Sequence, residues 1–320
     1  RLYGGGGAYY PELMATLAGA GETDTGYRRA GAMLVSGDGG EVAWLARMAQ
    51  QRAEPAMGDV RLLSAREAQA LFPPLRPGLG GVFIDGGARV DGRRLAAALL
   101  RAAAARGAAI LDGHAAVVAD AGRVAGVEIG GQFLAADRVA VTAGAWTDPV
   151  LRSLGLGVPV GPQRGQIVHL RLEGVGTDDW PVILPPGSHY IVPFEGGRIV
   201  AGATRETGAG FDYRVTAAGQ EEVLAEALRI APGLGSATLV ETRVGFRPSG
   251  AGVRPCLGWV CAVEGLAVGT GLGAAGLTIG PFAGRLLAEL LTDRPVSMPL
   301  APFDPMRAEG TGSGLSAALR

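Results

Sequence analysis

The stretch Leu266–Gly276, LAVGTGLGAAG, decides the fold of this chain. Its first five residues form a mostly apolar run that predicts a strand buried on both faces. The glycines that follow fit the pattern G-x-G-x-x-G, and beyond them the sequence predicts a helix over Pro281–Leu291. A buried strand, a glycine-rich turn and a helix in this order are typical of an α/β cofactor domain.

This pattern is not a complete nucleotide-binding fingerprint. A nucleotide-binding βαβ unit needs a second parallel strand that ends in an acidic residue about 20 residues on, whereas here the helix leads into Pro295–Pro299. The turn still offers bare backbone that a ligand can approach closely, and the start of the helix directs partial positive charge toward it. From the pattern alone, glycines that only let a helix pack tightly on a sheet explain the run equally well.

The rest of the chain alternates between segments that mix helices with strands and segments in which strands dominate. The predicted helices and strands of the first half are Tyr10–Gly19, Tyr27–Ser36, Val42–Arg52, the helix capped by Ser64, Gly80–Asp85, the helix capped by Asp91, Ala108–Leu111, Ala115–Ala119, Val124–Ile129 and Asp137–Thr142. After Pro159 strands dominate, at Gln166–Leu172, Tyr190–Pro193, Arg198–Ala203 and Thr238–Phe246, with one amphipathic helix over about 217–231. This order predicts an α/β fold with a mainly antiparallel α+β insert.

A domain division follows from that alternation. We expect a cofactor domain built from residues 1–26, 85–163 and 248–308. A mainly antiparallel substrate domain would consist of residues 27–84 and 164–247, and residues 309–320 would form a flexible tail. The functional site is expected where the two domains meet.

Composition argues against several classes of protein. The 320 residues are 48% hydrophobic with a formal net charge of -1, so no basic excess favours nucleic acid as a partner. The alanine-rich run Leu95–Ala105 is too short to cross a membrane, which needs about 20 apolar residues, and we predict no transmembrane span. Cys256 and Cys261 lie far from the three histidines, so we expect no metal site and read them as half-buried residues on neighbouring strand positions of a reduced, cytoplasmic protein.

Two residues are candidates for substrate binding. Arg247 ends an apolar strand, where a guanidinium is costly to bury unless an anion meets it. A structural ion pair is the more common explanation for such an arginine. Tyr190 has a hydroxyl that could orient a ligand, although most strand tyrosines simply pack. The segment Gly202–Glu206 reads as a solvated hairpin end, with Thr204 turned to its own backbone.

Taken in order, the segments resemble the D-amino-acid oxidase superfamily of flavoproteins, most of all its glycine oxidase and sarcosine oxidase branch. The segments that carry this resemblance are Tyr27–Gly31, Val90-Asp91 with the helix at Leu95, Ala136–Val139, Gly144–Trp146, Pro162–Gln166, Tyr190–Pro193, Gly202–Thr204, Phe246–Pro248 and Gly271–Pro281. Each motif is modest alone, and their order and spacing from about Tyr10 to Phe303 make the set specific.

The resemblance implies a discontinuous Rossmann-like FAD-binding domain and an FAD enzyme that takes a hydride from the carbon bearing an amine. The electrons pass to oxygen or another acceptor, and the imine product hydrolyses. Because the flavin performs the chemistry, no side chain is assigned as catalytic. Arg247 would pair with the carboxylate of a small amino acid, and Tyr190 would flank or hydrogen-bond that substrate.

The same resemblance implies the cofactor contacts. Val117 and Val118 would lie by the adenine and Gly144 near the pyrophosphate, while the backbone of Gly271–Thr278 would line the pyrimidine edge of the flavin. The expected set is Val117, Val118, Gly144, Trp146, Gly271, Gly273, Gly276, Leu277 and Thr278.

The chain departs from the family pattern at its start and in its terminal motif. The family's opening strand, its G-x-G-x-x-G turn and its acidic ribose-binding residue should precede Arg1, so we expect an N-terminally truncated fragment. Leu272 stands where many relatives have His, and Ala274 stands where glycine oxidases often carry a second Arg. The second departure weakens an assignment to glycine itself.

Two hypotheses of different classes therefore remain. The first is FAD-dependent oxidative deamination of a small amine or amino acid of the glycine, sarcosine or D-amino-acid type, and for this enzyme we expect a homo-oligomer. The second is a non-catalytic partner subunit, or a degenerate ligand-binding relative without a complete flavin site.

Overall fold

The computed structural model describes residues 2–52, 54–250 and 254–307. The helices are α1 (Leu2–Gly19), α2 (Gly39–Gln51), α3 (Ala65–Leu71), α4 (Gly92–Ala104), α5 (Thr147–Arg152), α6 (Ala217–Ile230) and α7 (Gly276–Leu291). The tail predicted over residues 309–320 lies outside the described residues.

The strands occupy three sheets. Their bounds are β1 (Ala32–Ser36), β2 (Val60–Leu63), β3 (Gly80–Ile84), β4 (Ala115–Asp120), β5 (Arg123–Ile129), β6 (Gln132–Ala135), β7 (Val139–Val141), β8 (Val160–Arg171), β9 (Val182–Leu184), β10 (Tyr190–Pro193), β11 (Arg198–Gly202), β12 (Glu206–Thr207), β13 (Thr238–Gly250), β14 (Cys256–Trp259) and β15 (Leu266–Thr270). Helices and sheets combine in a mixed α/β fold, and the predicted fold class is confirmed.

The large sheet follows the order β12-β8-β11-β10-β9-β1-β3-β2, and β13 also pairs with β8. Its ladders are antiparallel except for the parallel pair β1 and β9. The β8–β13 ladder is the longest, with paired residues from Val160 and Gly250 to Arg171 and Thr238. This long ladder spans the place where the candidate substrate residues stand.

The two faces of the large sheet have different roles. One face packs against α3 and α6, and its core includes Val168, Ile199 and Ile191 together with Val223 and Ala227 of α6. Side chains alternate between faces along a strand, so the neighbouring residues point the other way. That second face carries Tyr190, Gly202 and Arg247.

A smaller sheet, β14-β15-β7, packs against α7, and β4, β5 and β6 form an antiparallel meander. Strands β7 and β15 run parallel. Their carboxyl ends therefore lie at the same edge, where Gly144 follows β7 and Gly271 follows β15. In open α/β sheets, ligands bind in the crevice at such an edge.

Several local predictions can be compared with the fold. The capping box is confirmed, because Ser64 Oγ accepts from the Glu67 amide and Glu67 accepts from the Ser64 amide. The helix predicted from Tyr10 begins at Leu2 instead, because contact with α7 overrides the low helix propensity of the glycines: a Cβ at Gly6 would lie 2.4 Å from the carbonyl oxygen of Thr278.

Several strand predictions are wrong in extent or existence. The strand predicted over Tyr27–Ser36 begins at Ala32, and no strand forms over Ala108–Leu111, where every residue is exposed. Cys256 is buried in β14, as a strand residue, but Cys261 is exposed and lies beyond the end of that strand. An apolar run with no partner surface gains nothing by pairing, which a local pattern does not reveal.

The segment Gly273–Leu291 is long and apolar enough to cross a membrane by length and composition alone. Its residues Ile279, Ala283, Leu286 and Leu287 are buried against the β14–β15 layer. A helix that belongs to a protein core meets the same criteria, so the described residues give no clear membrane span.

Candidate functional site

Arg247 lies near the end of β13, half-buried, on the open face of the large sheet. Its Nη1 donates a hydrogen bond to the carbonyl oxygen of Thr204 at 2.9 Å. Among the described residues, no carboxylate lies within 4.0 Å of its guanidinium. Burial lowers the pKa of Arg247, with Tyr190 opposing and Arg205 adding to that shift. The Arg247 guanidinium is thus held in place by one hydrogen bond, and its other N–H donors remain available to a ligand.

Tyr190 stands on β10, opposite Gly202 of β11. Burial raises the pKa of the Tyr190 hydroxyl, and the charges of Arg247 and Arg205 partly offset this increase. The electrostatic influence acts in both directions between Tyr190 and Arg247, so the fold brings these two predicted residues together. A buried hydroxyl beside a cation can donate to an anion that the cation holds.

Two glycines create the room for these side chains. A Cβ at Gly165 would lie 2.5 Å from Nη1 of Arg247, and a Cβ at Gly202 would lie 2.5 Å from Cζ of Tyr190. Real Cβ atoms essentially never show contacts under 3.0 Å. The guanidinium and the ring therefore lie flat against bare strand backbone, and larger residues at either glycine would displace them.

A polar network fixes the carbonyl that Arg247 contacts. Thr204 Oγ1 donates to Glu206 Oε1 at 2.6 Å and accepts from the Gln166 amide at 2.9 Å. The Gln166 side chain donates to Glu206 Oε1 at 2.9 Å, and Arg164 donates to Glu206 Oε2 at 2.9 Å. Thr204 is fully buried, so the predicted solvated hairpin end is wrong: this turn is tied into the sheet by long-range hydrogen bonds.

Two glycine turns meet at the carboxyl ends of β7 and β15. Gly144 and Gly271 both have positive φ, 57° and 73°, a region that favours glycine. The Thr270 hydroxyl donates to the Gly144 carbonyl at 2.7 Å and so links the two turns. Nothing lies within 4 Å of a Cβ placed on Gly144. The turns thus offer open, bare backbone at the edge of the smaller sheet.

The start of α7 adds positive electrostatic potential to this edge. Its N-cap residue is Ala275, which makes no side-chain capping hydrogen bond. The first amides of the helix therefore remain available to a ligand. Cβ atoms at Gly273 and Gly276 would meet nothing within 4 Å, and Leu277 is 51% exposed. Bare turns and an uncapped helix start suit the electron-rich edge of a flavin, so these residues fit FAD.

A cavity of about 490 Å³ lies between α1, the sheet and the start of α7. Leu277 and Thr278 line one part of it, and Val182 and Val192 of the sheet line another. The cavity is also lined by Tyr10, Tyr27, Arg29, Arg89 and Val90. The Tyr10 hydroxyl donates to the Leu277 carbonyl, and burial, supplemented by Tyr27, raises the pKa of Tyr10 to about 12.

Two of the predicted cofactor residues, Val117 and Val118, stand on β4, and Trp146 closes the short turn that begins at Gly144. Val117 is buried in the core beneath the meander, while its neighbour Val118 is half-buried. Trp146 stacks on Phe211 with ring centroids 4.7 Å apart and meets the edge of Phe246 at 5.8 Å. These placements leave their predicted roles toward the cofactor untested.

Sequence reasoning missed Arg89 and misjudged the surroundings of Thr204. Arg89 is 5% exposed and lines the cavity. The only local signal for Arg89 was the presence of a cation between Gly86-Gly87 and Asp91. That segment is too short to bury the side chain without contacts from other parts of the chain. Thr204 was noticed, but its partners Gln166 and Glu206 are set by strand register, which no local pattern encodes.

Comparison with known families and proteins gives a consistent result. The family model described as FAD dependent oxidoreductase matches residues 7–290. The chain is 46% identical over 311 residues to an uncharacterized oxidoreductase, YurR, of Bacillus subtilis, covering 96% of this chain and 84% of that protein. It is 34% identical over 271 residues to a glycine oxidase of Pseudomonas putida, covering 82% of this chain and 70% of that enzyme.

Solved structures agree. Iminodiacetate oxidase from Chelativorans sp. BNC1 superposes with a TM-score of 0.91 at 49% identity, covering 95% of this chain and 83% of that chain. Glycine oxidase from Geobacillus kaustophilus superposes with a TM-score of 0.82 at 29% identity, covering 95% and 82% respectively.

Proposed function

Because this chain belongs to the family of FAD-dependent oxidoreductases that includes the glycine oxidases, we propose that it oxidatively deaminates a small amino acid or amine that carries a carboxylate. Membership makes it an amine or amino-acid oxidoreductase with FAD as cofactor. The proposal concerns the substrate and the residues that bind it. The observation that carries it is Arg247, a half-buried cation with one carbonyl partner and no carboxylate in the described part of the chain.

Arg247 is suited to a carboxylate for a physical reason. A guanidinium loses hydration on burial, and one hydrogen bond to a carbonyl compensates little of that cost. A substrate carboxylate supplies the missing charge and can accept two parallel N–H donors. Tyr190, on the same sheet face, can add a third donor to the same anion. The substrate would therefore be held by its carboxylate, which fixes the position of its amine-bearing carbon.

FAD, when bound, supplies the acceptor for the hydride that leaves the amine-bearing carbon. The protein's contribution is orientation and electrostatics. Gly144, Gly271, Gly273 and Gly276 would admit the cofactor to bare backbone, with Leu277 and Thr278 at the uncapped start of α7. The amides there would stabilise negative charge that develops nearby. Val117, Val118 and Trp146 complete the proposed set of cofactor contacts.

The substrate class that we propose is a glycine, sarcosine or D-amino acid, with oxygen or another acceptor receiving the electrons. The glycine oxidase from Pseudomonas putida and the iminodiacetate oxidase from Chelativorans bear names that fit amines with a carboxylate close to nitrogen. We further propose that the cofactor domain comprises residues 1–26, 85–163 and 248–308, and the substrate domain residues 27–84 and 164–247. A cytoplasmic location and a homo-oligomer stay predictions.

An anaerobic substrate screen tests the proposal. The FAD-loaded protein is mixed with sarcosine, glycine, D-alanine and a simple alkylamine, and the flavin absorbance in the visible spectrum is followed. Carboxylate-bearing amines should bleach the flavin, while the alkylamine should do so only at much higher concentration. If no compound bleaches a bound flavin, the catalytic assignment fails and a non-catalytic ligand-binding role gains.

A further inference from the structure

Two glycines stand side by side on the open face of the large sheet. Gly165 of β8 lies directly opposite Gly245 of β13. The Arg247 guanidinium covers the first of them, since a Cβ on Gly165 would lie 2.5 Å from Nη1, whereas a Cβ on Gly245 would meet nothing within 4 Å. The bare backbone therefore leaves open space directly beside the guanidinium, where a small ligand can reach it.

The strand on the other side of Gly165 brings a second arginine to the same place. Strand β12 pairs with β8 from Glu206 onward, and the Thr204 amide continues that antiparallel register by donating to the Gln166 carbonyl at 3.3 Å. The register places Arg205, between them, opposite Gly165. Cα atoms of directly opposed residues lie about 5 Å apart, which is less than the length of an arginine side chain.

The Arg205 side chain belongs to the open face. Thr204 and Glu206, on either side of it, direct their side chains into the polar network described above, and alternation turns Arg205 the other way. The Thr204 carbonyl that accepts from Arg247 at 2.9 Å is part of the peptide group that joins Thr204 to Arg205. Burial dominates the pKa shifts of Arg247 and Tyr190, and the Arg205 charge acts on both groups, in agreement with this placement.

Arg205 has no anion of its own in the described part of the chain. It is exposed, and no carboxylate of the described residues lies within 4.0 Å of its guanidinium. The acids nearest to it in sequence, Glu206 and Asp212, pair instead with Arg164 and Arg214. The local sequence thus contains carboxylates, and the fold pairs them with other arginines.

Open space between two guanidinium groups is suited to a carboxylate. An ionised carboxylate has about four positions at which its oxygens accept hydrogen bonds. In the proposed function Arg247 supplies two parallel N–H donors and Tyr190 supplies a third donor, so one acceptor position is left over. Arg205 can reach that position across Gly165, and it would add a second positive charge beside the same anion.

We propose that Arg205 is a second guanidinium of the substrate site, which reaches across Gly165 to the carboxylate that Arg247 holds. This inference rests on the proposed function, in which Arg247 binds that carboxylate. The two arginines have unequal roles. Arg247 is half-buried and tied to the Thr204 carbonyl, so it fixes the position of the substrate. Arg205 is exposed, so its contribution is smaller and is weakened by salt.

Sarcosine and N-methylethylamine form a matched pair for the test, because a methyl group replaces the carboxylate in the second compound. In the FAD-loaded protein, Arg205→Met should raise the KM for sarcosine by about 5-fold with little change in kcat, and change the KM for N-methylethylamine by less than about 2-fold. Arg205→Lys keeps the charge and should recover part of the loss.

Arg66→Met is the control for Arg205→Met. Arg66 is likewise exposed, and in the described residues no carboxylate lies within 4.0 Å of it. It stands on α3, which packs against the opposite face of the large sheet. Arg66→Met should therefore leave both KM values unchanged.

Salt distinguishes the two arginines. Sarcosine is a zwitterion without net charge, so a salt effect on its KM reports the contact in the site more than long-range attraction. At an ionic strength of about 1 M the Debye length is about 3 Å. The KM ratio between Arg205→Met and the wild type should then fall below about 2-fold, while the ratio for Arg247→Met should be largely retained.

A binding measurement gives a readout that does not depend on turnover. Methoxyacetate keeps the carboxylate of sarcosine and has oxygen in place of the amine nitrogen. Its Kd, followed by the change in flavin absorbance, should rise about 5-fold in Arg205→Met and stay the same in Arg66→Met. Equal changes for sarcosine and N-methylethylamine, an unchanged Kd for methoxyacetate, or an effect of Arg205→Met that persists at high salt would overturn the inference.

The two proposals fail in different ways. If Arg247→Met leaves the KM for sarcosine and the Kd for methoxyacetate unchanged, the proposed function itself is wrong. If Arg247→Met raises both values while Arg205→Met changes neither, only the second guanidinium is wrongly assigned.

Discussion

Arg164 and Arg247 stand on paired strands of one ladder and have opposite surroundings. Arg164 pairs with Phe246 and Arg247 with Gln163, so the two guanidinium groups leave the β8–β13 ladder on opposite faces. Arg164 bonds to Glu206 and lies 2.8 Å from Asp212. Arg247 has the Thr204 carbonyl and no carboxylate among the described residues. Arg164 is thus saturated with carboxylate partners, whereas Arg247 has none in the described part of the chain. We call the side of the ladder that carries Arg164 the saturated face.

The contrast separates a structural cation from a binding cation. A saturated ion pair keeps its geometry without a ligand, whereas a half-buried guanidinium with free donors has favourable energy still to gain. Thr204 joins the two regions, because its hydroxyl belongs to the Glu206 network while its carbonyl accepts from Arg247. The Glu206 network on the saturated face therefore fixes the position of the Thr204 carbonyl, which in turn holds Arg247 on the opposite face.

The largest effect is expected when Arg247 is replaced. Arg247→Met should lower kcat/KM for a carboxylate substrate by the equivalent of about 3–5 kcal/mol, since one partner of a buried charge pair is lost. Most of that loss should appear in KM. Steady-state kinetics with sarcosine and with a simple alkylamine measure it, and the alkylamine should be almost unaffected.

Arg247→Lys is the matched control for this substitution. It keeps the charge but loses the two-pronged geometry, so its kcat/KM should fall between those of the wild type and of Arg247→Met. Equal losses for sarcosine and for the alkylamine would contradict a role in carboxylate binding and would make Arg247 another structural cation.

Arg164→Met should instead affect stability. It leaves Glu206 and Asp212 without their shared cation, and we expect the melting temperature of the protein to fall by roughly 5 °C. Arg229→Met, which removes an exposed pair with Glu226, should lower it by less than about 1 °C. If Arg164→Met melts like the wild type, the saturated face does not contribute the stability that the comparison assigns to it.

Glu206→Gln tests the link between the two faces. The carboxylate accepts from Thr204, Gln166 and Arg164, and an amide must place its NH2 group against one of those donors. The Thr204 carbonyl should then shift, and the KM for sarcosine should rise about 5-fold with little change in kcat.

The control for Glu206→Gln is the double variant with Arg247→Met. If Glu206 acts by positioning Arg247, then Glu206→Gln should add nothing to the KM once Arg247 is gone. Glu226→Gln, at an exposed pair, should leave the KM unchanged. A further increase in the double variant would mean that Glu206 affects the substrate by another route.

Sequence alone could predict those features of the two arginine sites that depend on neighbouring residues in the chain. The apolar runs at Leu266–Thr270 and Tyr190–Pro193 predicted strands with the observed bounds, and the costly burial of a guanidinium marked Arg247. The family resemblance marked Pro162–Gln166 without assigning a role to Arg164. Partners such as Gln166 and Thr204 are 38 residues apart, and only strand register brings them together. Arg89 was missed for the same reason, because its burial depends on distant segments.

The smallest effect concerns acid stability, and it arises on the saturated face. Hydrogen bonds from the Arg214 side chain and amide, followed by the charge of Arg164, hold the pKa of Asp212 well below its usual range. A carboxyl group with a lowered pKa in the folded state contributes stability above its unfolded pKa of about 4, and that stability is lost as pH falls toward the folded value. Urea unfolding between pH 7 and pH 3 should therefore show a smaller loss of stability on acidification in Asp212→Asn than in the wild type. Asp59→Asn, at an exposed carboxylate with no ion pair in the described residues, should follow the wild-type curve. If Asp212→Asn also follows that curve, Asp212 does not contribute to the acid sensitivity of the Arg164 cluster.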